Sequence, residues 1–139
     1  MAKLSQLRTD LTKELEGVWI HYELGIEFLI ARTRHPEFKS AITKMERKHR
    51  RGFKQNKTII ETMTDSESKK TMSPLIAKHI IRDWKNIQDE KGKTIPYSEK
   101  EALKILLDPE LEDVYIFILT SANESENFRK IQLEEDAGN

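Results

Sequence analysis

The sequence contains no cysteine, and this absence removes several classes of protein at once. A disulfide scaffold, a thiol nucleophile and a cysteine-ligated metal site are all excluded. Glycine is scarce as well, with five residues in 139, and none of them forms the GxxxxGK loop that cradles phosphates. No apolar run approaches the roughly 18 residues of a membrane helix, and "MAKLSQLRTDLTKELEG" lacks the apolar core of a signal peptide. We therefore expect no membrane partner and no export.

An excess of charge of either sign is also missing. Lysine and arginine number 24 and aspartate and glutamate number 24, although charged residues make up 35 % of the chain. That fraction exceeds the usual value of about 25 %. Overall charge therefore gives no reason to expect a polyanion as the partner. A neutral chain also lacks long-range repulsion between copies, so self-association is possible.

Catalytic and metal-binding patterns are absent from the sequence. The four histidines, His21, His35, His49 and His79, form no HxxxH or HxH pair, and there is no GxSxG nucleophile turn. We predict no enzymatic activity, no cofactor and no metal, with no catalytic residue to name. A zinc site assembled from the scattered histidines is the alternative to solvated or core histidines.

The front of the chain has the alternation of paired strands. Val18, Ile20 and Tyr22 alternate with polar or aromatic neighbours, and a second alternating run follows Gly25. The pattern predicts a β-hairpin that turns at Leu24 and Gly25. Because a lone hairpin is only marginally stable, it needs a further strand or a helix, and residues 3–11 are the candidate third strand.

The rest of the chain has helical spacing. Pro36 suits a first helical position, and an apolar series recurs after it. The best-marked helix is predicted over residues 73–84, with Ser73 as its cap and Pro74 in its first turn, whereas residues 65–70 are expected to be a flexible loop. Ser98 and Glu101 match a capping box, and Asp108-Pro109 should end one helix and start another.

These patterns predict an α+β fold in a single domain over residues 1–139. Its parts would be a β-rich front over 1–32 with a hairpin or small antiparallel sheet, a body of about four to five helices over 36–128, and a flexible acidic tail over 129–139. The structural residues of the body and its end are predicted to be Trp84, Gly92, Pro96, Tyr97, Ser98, Glu101, Asp108, Pro109 and Phe128.

Residues 44–57 depart from the balanced charge. The segment "KMERKHRRGFKQNK" carries seven basic side chains against the single Glu46. We predict that its first part binds an acidic protein surface or another copy of the chain, through Lys44, Arg47, Lys48, Arg50 and Arg51. Nucleic acid is the alternative ligand, but no DNA-reading motif and no interleaved aromatic residues accompany the charges.

The rear half resembles a known family. The order "IRDWKNIQDEKGKTIPYSEKEALKILLDPEL", followed by "ANESENF", is similar to the C-terminal half of tail assembly chaperones of long-tailed bacteriophages. The front, "EGVWIHYELGIEFLIARTRHPEF", looks similar as well, so the resemblance covers about residues 15–130. The matching positions of the rear half are Asp83, Trp84, Gly92, Pro96, Tyr97, Ser98, Asp108, Pro109, Asn123 and Phe128.

The resemblance implies a role without catalysis. Such chaperones hold the long, largely helical tape-measure protein in solution and recruit tail-tube subunits. They act in the cytoplasm of the bacterial host and are generally absent from the finished virion. Some also exist as a longer frameshifted form. Two other functions stay open from the residues: a minor tail or connector protein that remains in the tail, and a small nucleic-acid-binding regulator.

Overall fold

The computed structural model describes residues 1–49 and 66–132 of the chain. Within these ranges there are three strands, five α-helices and short 3-10 turns. The strands are β1 (Val18–His21), β2 (Glu27–Ile30) and β3 (Ile81–Lys85). The helices are α1 (Leu11–Glu16), α2 (Pro36–His49), α3 (Ser66–His79), α4 (Glu99–Leu107) and α5 (Glu112–Asn123). The predicted α+β fold, with a small antiparallel sheet near the front, is confirmed.

The hairpin forms at the predicted place. β1 and β2 pair antiparallel from Val18 opposite Ile30 to His21 opposite Glu27. Leu24 and Gly25 close the turn with positive φ angles of 57° and 80°, which is the backbone twist that tight hairpins require. The Tyr22 N–H donates to the Ile26 carbonyl at 2.8 Å and continues the ladder to the turn.

The third strand comes from a different part of the chain than expected. Residues 3–11 do not add a strand: they contain a 3-10 turn at Leu4–Gln6 and lead into α1. β3 pairs antiparallel with β2 instead, so the sheet order is β1-β2-β3. The predicted helical body over 36–128 therefore contains a strand. Because β3 pairs with residues about fifty positions earlier, only tertiary contact reveals its conformation.

The helix predicted over 73–84 is wrong at both ends. α3 starts at Ser66, inside the segment expected to be a loop, and ends at His79, so Trp84 lies on β3. Pro74 is inside α3 rather than in its first turn. Proline has no backbone N–H, so α3 lacks the hydrogen bond that residue 74 would otherwise donate to the carbonyl four residues earlier. Ser73 is fully buried in the middle of α3 and does not cap it.

The core lies between one face of the sheet and the helices. Phe28, Ile30, Ile81 and Trp84 project from β2 and β3 into a buried cluster with side chains of α2 to α5. Ile76, Ile80, Leu106 and Ile118 are completely buried there. The opposite face of the sheet is more open and carries Trp19. No helix in the described ranges is both long and apolar enough to cross a membrane.

Candidate functional site

The segment after β3 is held by one aromatic pair. The Trp84 indole N–H donates to the Ile95 carbonyl at 2.8 Å, and the Trp84 ring meets the Tyr97 ring edge-on at 5.1 Å. The Tyr97 hydroxyl donates to the Ile81 carbonyl at 2.7 Å. Trp84 is only 5 % exposed. These contacts fix the loop between β3 and α4 to the sheet and bury the Trp84 ring.

The loop itself is shaped by Asp89 and Gly92. The Asp89 carboxylate accepts hydrogen bonds from the amides of Lys91 and Lys93, both at 2.9 Å. Gly92 has a φ of 80°, and its N–H donates to the Asp89 carbonyl. Exposed Pro96 follows the loop and leads into Tyr97. The arrangement is a tight turn with satisfied backbone groups.

Helix capping accounts for the next predicted positions. The Ser98 hydroxyl accepts from the Glu101 amide at 3.0 Å, which caps α4. Only this half of the predicted capping box forms, because the Glu101 side chain accepts from Lys104 on the surface instead of from the Ser98 amide. The Asp108 carboxylate accepts from the Glu110 amide at 2.9 Å, and Pro109 occupies the first position of the following 3-10 turn. Ser98, Asp108 and Pro109 thus have structural roles at the starts of α4 and of the following 3-10 turn.

The cationic row on α2 is the described part of the basic segment. Lys44, Arg47 and Lys48 follow helical spacing of i, i+3 and i+4, so they share one face of α2, and all three are exposed. Phe38 and Met45 of the same helix are buried. No ion pair involves the three cations within residues 1–49 and 66–132. Arg50 and Arg51 lie outside the described residues.

A buried ionic cluster joins α1 to the chain after β2. Glu14 is 3 % exposed, and its carboxylate accepts from Arg32 at 3.1 Å and from both Arg34 Nε and Arg34 Nη2 at 2.8 Å. The hydrogen bond from Arg34 is the largest influence on the Glu14 carboxyl and lowers its pKa to about 2, against the opposing effect of burial. A carboxylate with so low a pKa stays ionised and does not serve as a general acid.

The same cluster brings the two ends of the described chain together. The Arg32 guanidinium lies 5.8 Å from the centroid of the fully buried Phe128 ring. The Asp10 N–H donates to the Phe128 carbonyl at 2.7 Å, and the Lys130 N–H donates to the Arg8 carbonyl at 3.0 Å. Arg8 and Lys130 border a shallow open depression. Phe128 is therefore an anchor of the C-terminal segment.

Two histidine side chains, His35 and His79, lie close together beside α2. His35 is 1 % exposed, its Nε2 lies 2.9 Å from the His79 carbonyl, and its Nδ1 faces the Phe38 amide at 3.4 Å. Because the Phe38 N–H is a donor, Nδ1 is placed to accept from it and Nε2 is placed to donate to the His79 carbonyl. Burial is the main cause that lowers the pKa of His79, followed by the Lys78 charge. Within the described residues, no group of three metal-binding side chains forms a cation site.

Sequence patterns did not reveal the Glu14 cluster or the His35 contacts. Glu14 pairs with residues 18 and 20 positions away, so no local spacing marks it. The only available signal was the run of Arg32, Arg34 and His35 before a helix start, which invites a search for an acidic partner.

Comparison with known proteins identifies the family. No curated protein and no solved structure matches the chain. The family described as YdaY prophage protein matches residues 33–139, which include α2 to α5 and β3 but not the hairpin. The match covers more than half of the sequence, and the chain therefore belongs to the YdaY prophage protein family.

Proposed function

We propose that the protein is a phage tail assembly chaperone that binds the tape-measure protein and assists assembly of the tail tube. The proposal rests on two findings together: membership of a prophage family and the resemblance to tail assembly chaperones over about residues 15–130. In this role the protein acts in the host cytoplasm without catalysis and leaves before the virion is complete.

The cationic row on α2 is one candidate contact for the partner. Lys44, Arg47 and Lys48 are exposed and have no ion pair among residues 1–49 and 66–132, while the far side of α2 is fixed in the core by Phe38. A partner with acidic side chains can dock there without first breaking an internal salt bridge. Such charges set the register and the rate of association more than the affinity.

Exposed apolar side chains near the α4–α5 junction are a second candidate contact for the partner. Leu107, Leu111 and Ile116 are 42 %, 37 % and 52 % exposed. Acidic side chains of the first turn of α5, Glu112 and Asp113, lie beside them in sequence. Leucine and isoleucine side chains with a charged rim suit the apolar stripe of an amphipathic helix. Many weak sites along a long helical partner would add up through avidity.

Co-expression tests the proposal. The tape-measure protein of the same prophage should be more soluble with the chain than alone, and the two should co-purify. Arg47→Glu with Lys48→Glu should weaken the complex, whereas the matched reversal of Lys91 and Lys93, in the loop after β3, should not. Equal solubility of the tape-measure protein alone, with no complex after gentle purification, would contradict the chaperone function.

Two further measurements separate the other functions. Finding the protein in purified virions by mass spectrometry would favour a tail component that stays in the particle. Salt-sensitive binding of duplex DNA, lost in the Arg47→Glu, Lys48→Glu variant, would favour a nucleic-acid-binding regulator, because phosphate contacts depend strongly on salt.

A further inference from the structure

β1 is an edge strand with one free side. It pairs only with β2 in the described sheet, whose order is β1-β2-β3. The preceding helix is turned towards the other strands, because the Leu15 carbonyl accepts from Arg82 of β3 and Glu14 binds Arg32 after β2. Nothing in ranges 1–49 and 66–132 pairs with the outer side of β1.

The register fixes which backbone groups face outward. In an antiparallel pair, residues alternate between those that exchange hydrogen bonds with the opposite strand and those that do not. The Tyr22 N–H donates to the Ile26 carbonyl, so Tyr22 and Ile26 are a hydrogen-bonded pair. Every second pair along the two strands is bonded in the same way, which makes Ile20 with Phe28 and Val18 with Ile30 the other bonded pairs. The N–H and C=O groups of Trp19 and His21 therefore point away from β2, along the free edge.

β1 is only four residues long, but it lacks three other features that usually block pairing. Natural edge strands are protected by proline, by an edge lysine or by a bulge. β1 reads Val-Trp-Ile-His and pairs with β2 without a break in register, whereas the irregularity of this sheet lies between β2 and β3. Lys85 does contact Trp19, but its Nζ lies over the ring at 4.0 Å, on the open face of the sheet.

We propose that β1 pairs with β1 of a second copy, antiparallel about a twofold axis at Ile20, to form a six-stranded sheet. Trp19 then lies opposite the partner's His21, and His21 opposite the partner's Trp19. Each of these two pairs exchanges both backbone hydrogen bonds, because these are the outward-facing positions. The arrangement closes as a C2 dimer, in which the same surface is used twice.

The side chains of β1 favour pairing with a second copy of this chain over pairing with an extended segment of another protein. About the axis, Ile20 faces the partner's Ile20, and Val18 faces the partner's Tyr22. All three side chain types are apolar or aromatic and are half-buried in the single chain, so pairing buries them further. No charge of β1 meets a like charge, and the chain has no net charge to oppose association. This dimer forms whether or not a tape-measure protein is bound.

Analytical ultracentrifugation over a dilution series tests the dimer. His21→Pro removes an outward N–H without removing a bond to β2, a position where an edge strand tolerates proline. The dimer dissociation constant should rise about tenfold to a hundredfold, because two symmetry-related hydrogen bonds are lost. His21→Ala keeps the N–H and should still dimerise. Leu7→Ser, which changes a more exposed apolar residue outside β1, should also dimerise.

Amide hydrogen exchange of the unmodified protein gives a second test that does not depend on a variant folding. The amides of Trp19 and His21 should exchange rapidly in dilute solution and slowly in concentrated solution. The amides of Val18 and Ile20, bonded to β2, should be protected in both. Any of three results would overturn the proposal. These are a monomer at all concentrations, exchange rates at Trp19 and His21 that do not change with concentration, and equal effects of His21→Pro and His21→Ala on the dimer.

Discussion

At the scale of single residues, Glu14 joins α1 to the chain after β2. Its carboxylate is nearly buried, and two arginines satisfy it. Breaking a buried pair by removing one partner costs more than the pair itself contributes, because the other charge is left without compensation. Arg34 is half exposed and can turn to water, but Arg32 is held under Phe128. Removal of the Glu14 carboxylate would therefore destabilise the fold mainly by leaving the buried charge of Arg32 without a partner.

The lowered pKa of Glu14 predicts a pH dependence of stability. A carboxyl whose pKa is about 2 when folded and 4.5 when unfolded stabilises the fold above pH 4.5. That contribution, about 3 kcal/mol, is lost as the pH falls from 4.5 to about 2, because the unfolded chain takes up the proton first. Urea unfolding of Glu14→Gln should show a lower free energy of unfolding at neutral pH and a weaker dependence over this acidic range.

Glu16→Gln is the matched control, since Glu16 is exposed on the same helix. It should keep both the neutral stability and the acidic transition of the unmodified protein. If Glu14→Gln lost stability on acidification as steeply as the unmodified protein, the acid sensitivity would belong to other carboxyl groups.

At the scale of elements, the connection from α1 to β1 depends on Gly17. Its φ of 99° and ψ of 164° lie in a region that is essentially restricted to glycine. A Cβ there would also lie 3.1 Å from Leu29 Cγ and 3.2 Å from the Ile30 carbonyl carbon. The bend lets α1 turn back over the sheet, where Leu15 meets Arg82.

Gly17→Ala should therefore destabilise the fold by about 1 to 3 kcal/mol through backbone strain, and further through the contacts with β2. Gly92→Ala separates the two effects. Gly92 has a φ of 80° but nothing within 4 Å of an added Cβ, so it should cost only about 1 kcal/mol. Thermal unfolding of both variants measures the difference, and a smaller loss for Gly17→Ala would contradict the contact argument.

Local patterns predicted those elements whose determinants are local. The hairpin follows from alternation and Gly25, the start of α2 from Pro36, and the α4 cap from Ser98. The sequence did not predict β3, because Ile76, Ile80 and Trp84 recur every four residues and so continue a helical pattern. Pairing with β2, which is distant in the sequence, decides the conformation of β3. For the same reason, no local pattern marked the ionic cluster around Glu14, whose partners lie 18 and 20 residues away.

At the scale of the whole molecule, Phe128 fastens the end of the described chain to its beginning. The ring is fully buried, and its carbonyl receives the Asp10 amide. Phe128→Ala should cost about 3 to 5 kcal/mol. Hydrogen exchange should quicken at the amides of Asp10 and Lys130 more than in the strands. Ile131→Ala, at a half-exposed position nearby, should change neither quantity, and equal effects of both substitutions would contradict an anchoring role for Phe128.

The sheet order also has a consequence for the timing of folding. β1 and β2 are neighbours along the chain and can pair as soon as both are synthesised, whereas β3 follows only after α2 and α3. Contacts between distant residues form slowly, because closing the long intervening loop costs entropy before pairing repays it. On the ribosome, the side of β2 that will receive β3 is thus open while about fifty further residues emerge. A nascent chain at that stage exposes the edge of β2 that β3 covers in the folded sheet, and this is the period in which misassembly with another chain is easiest.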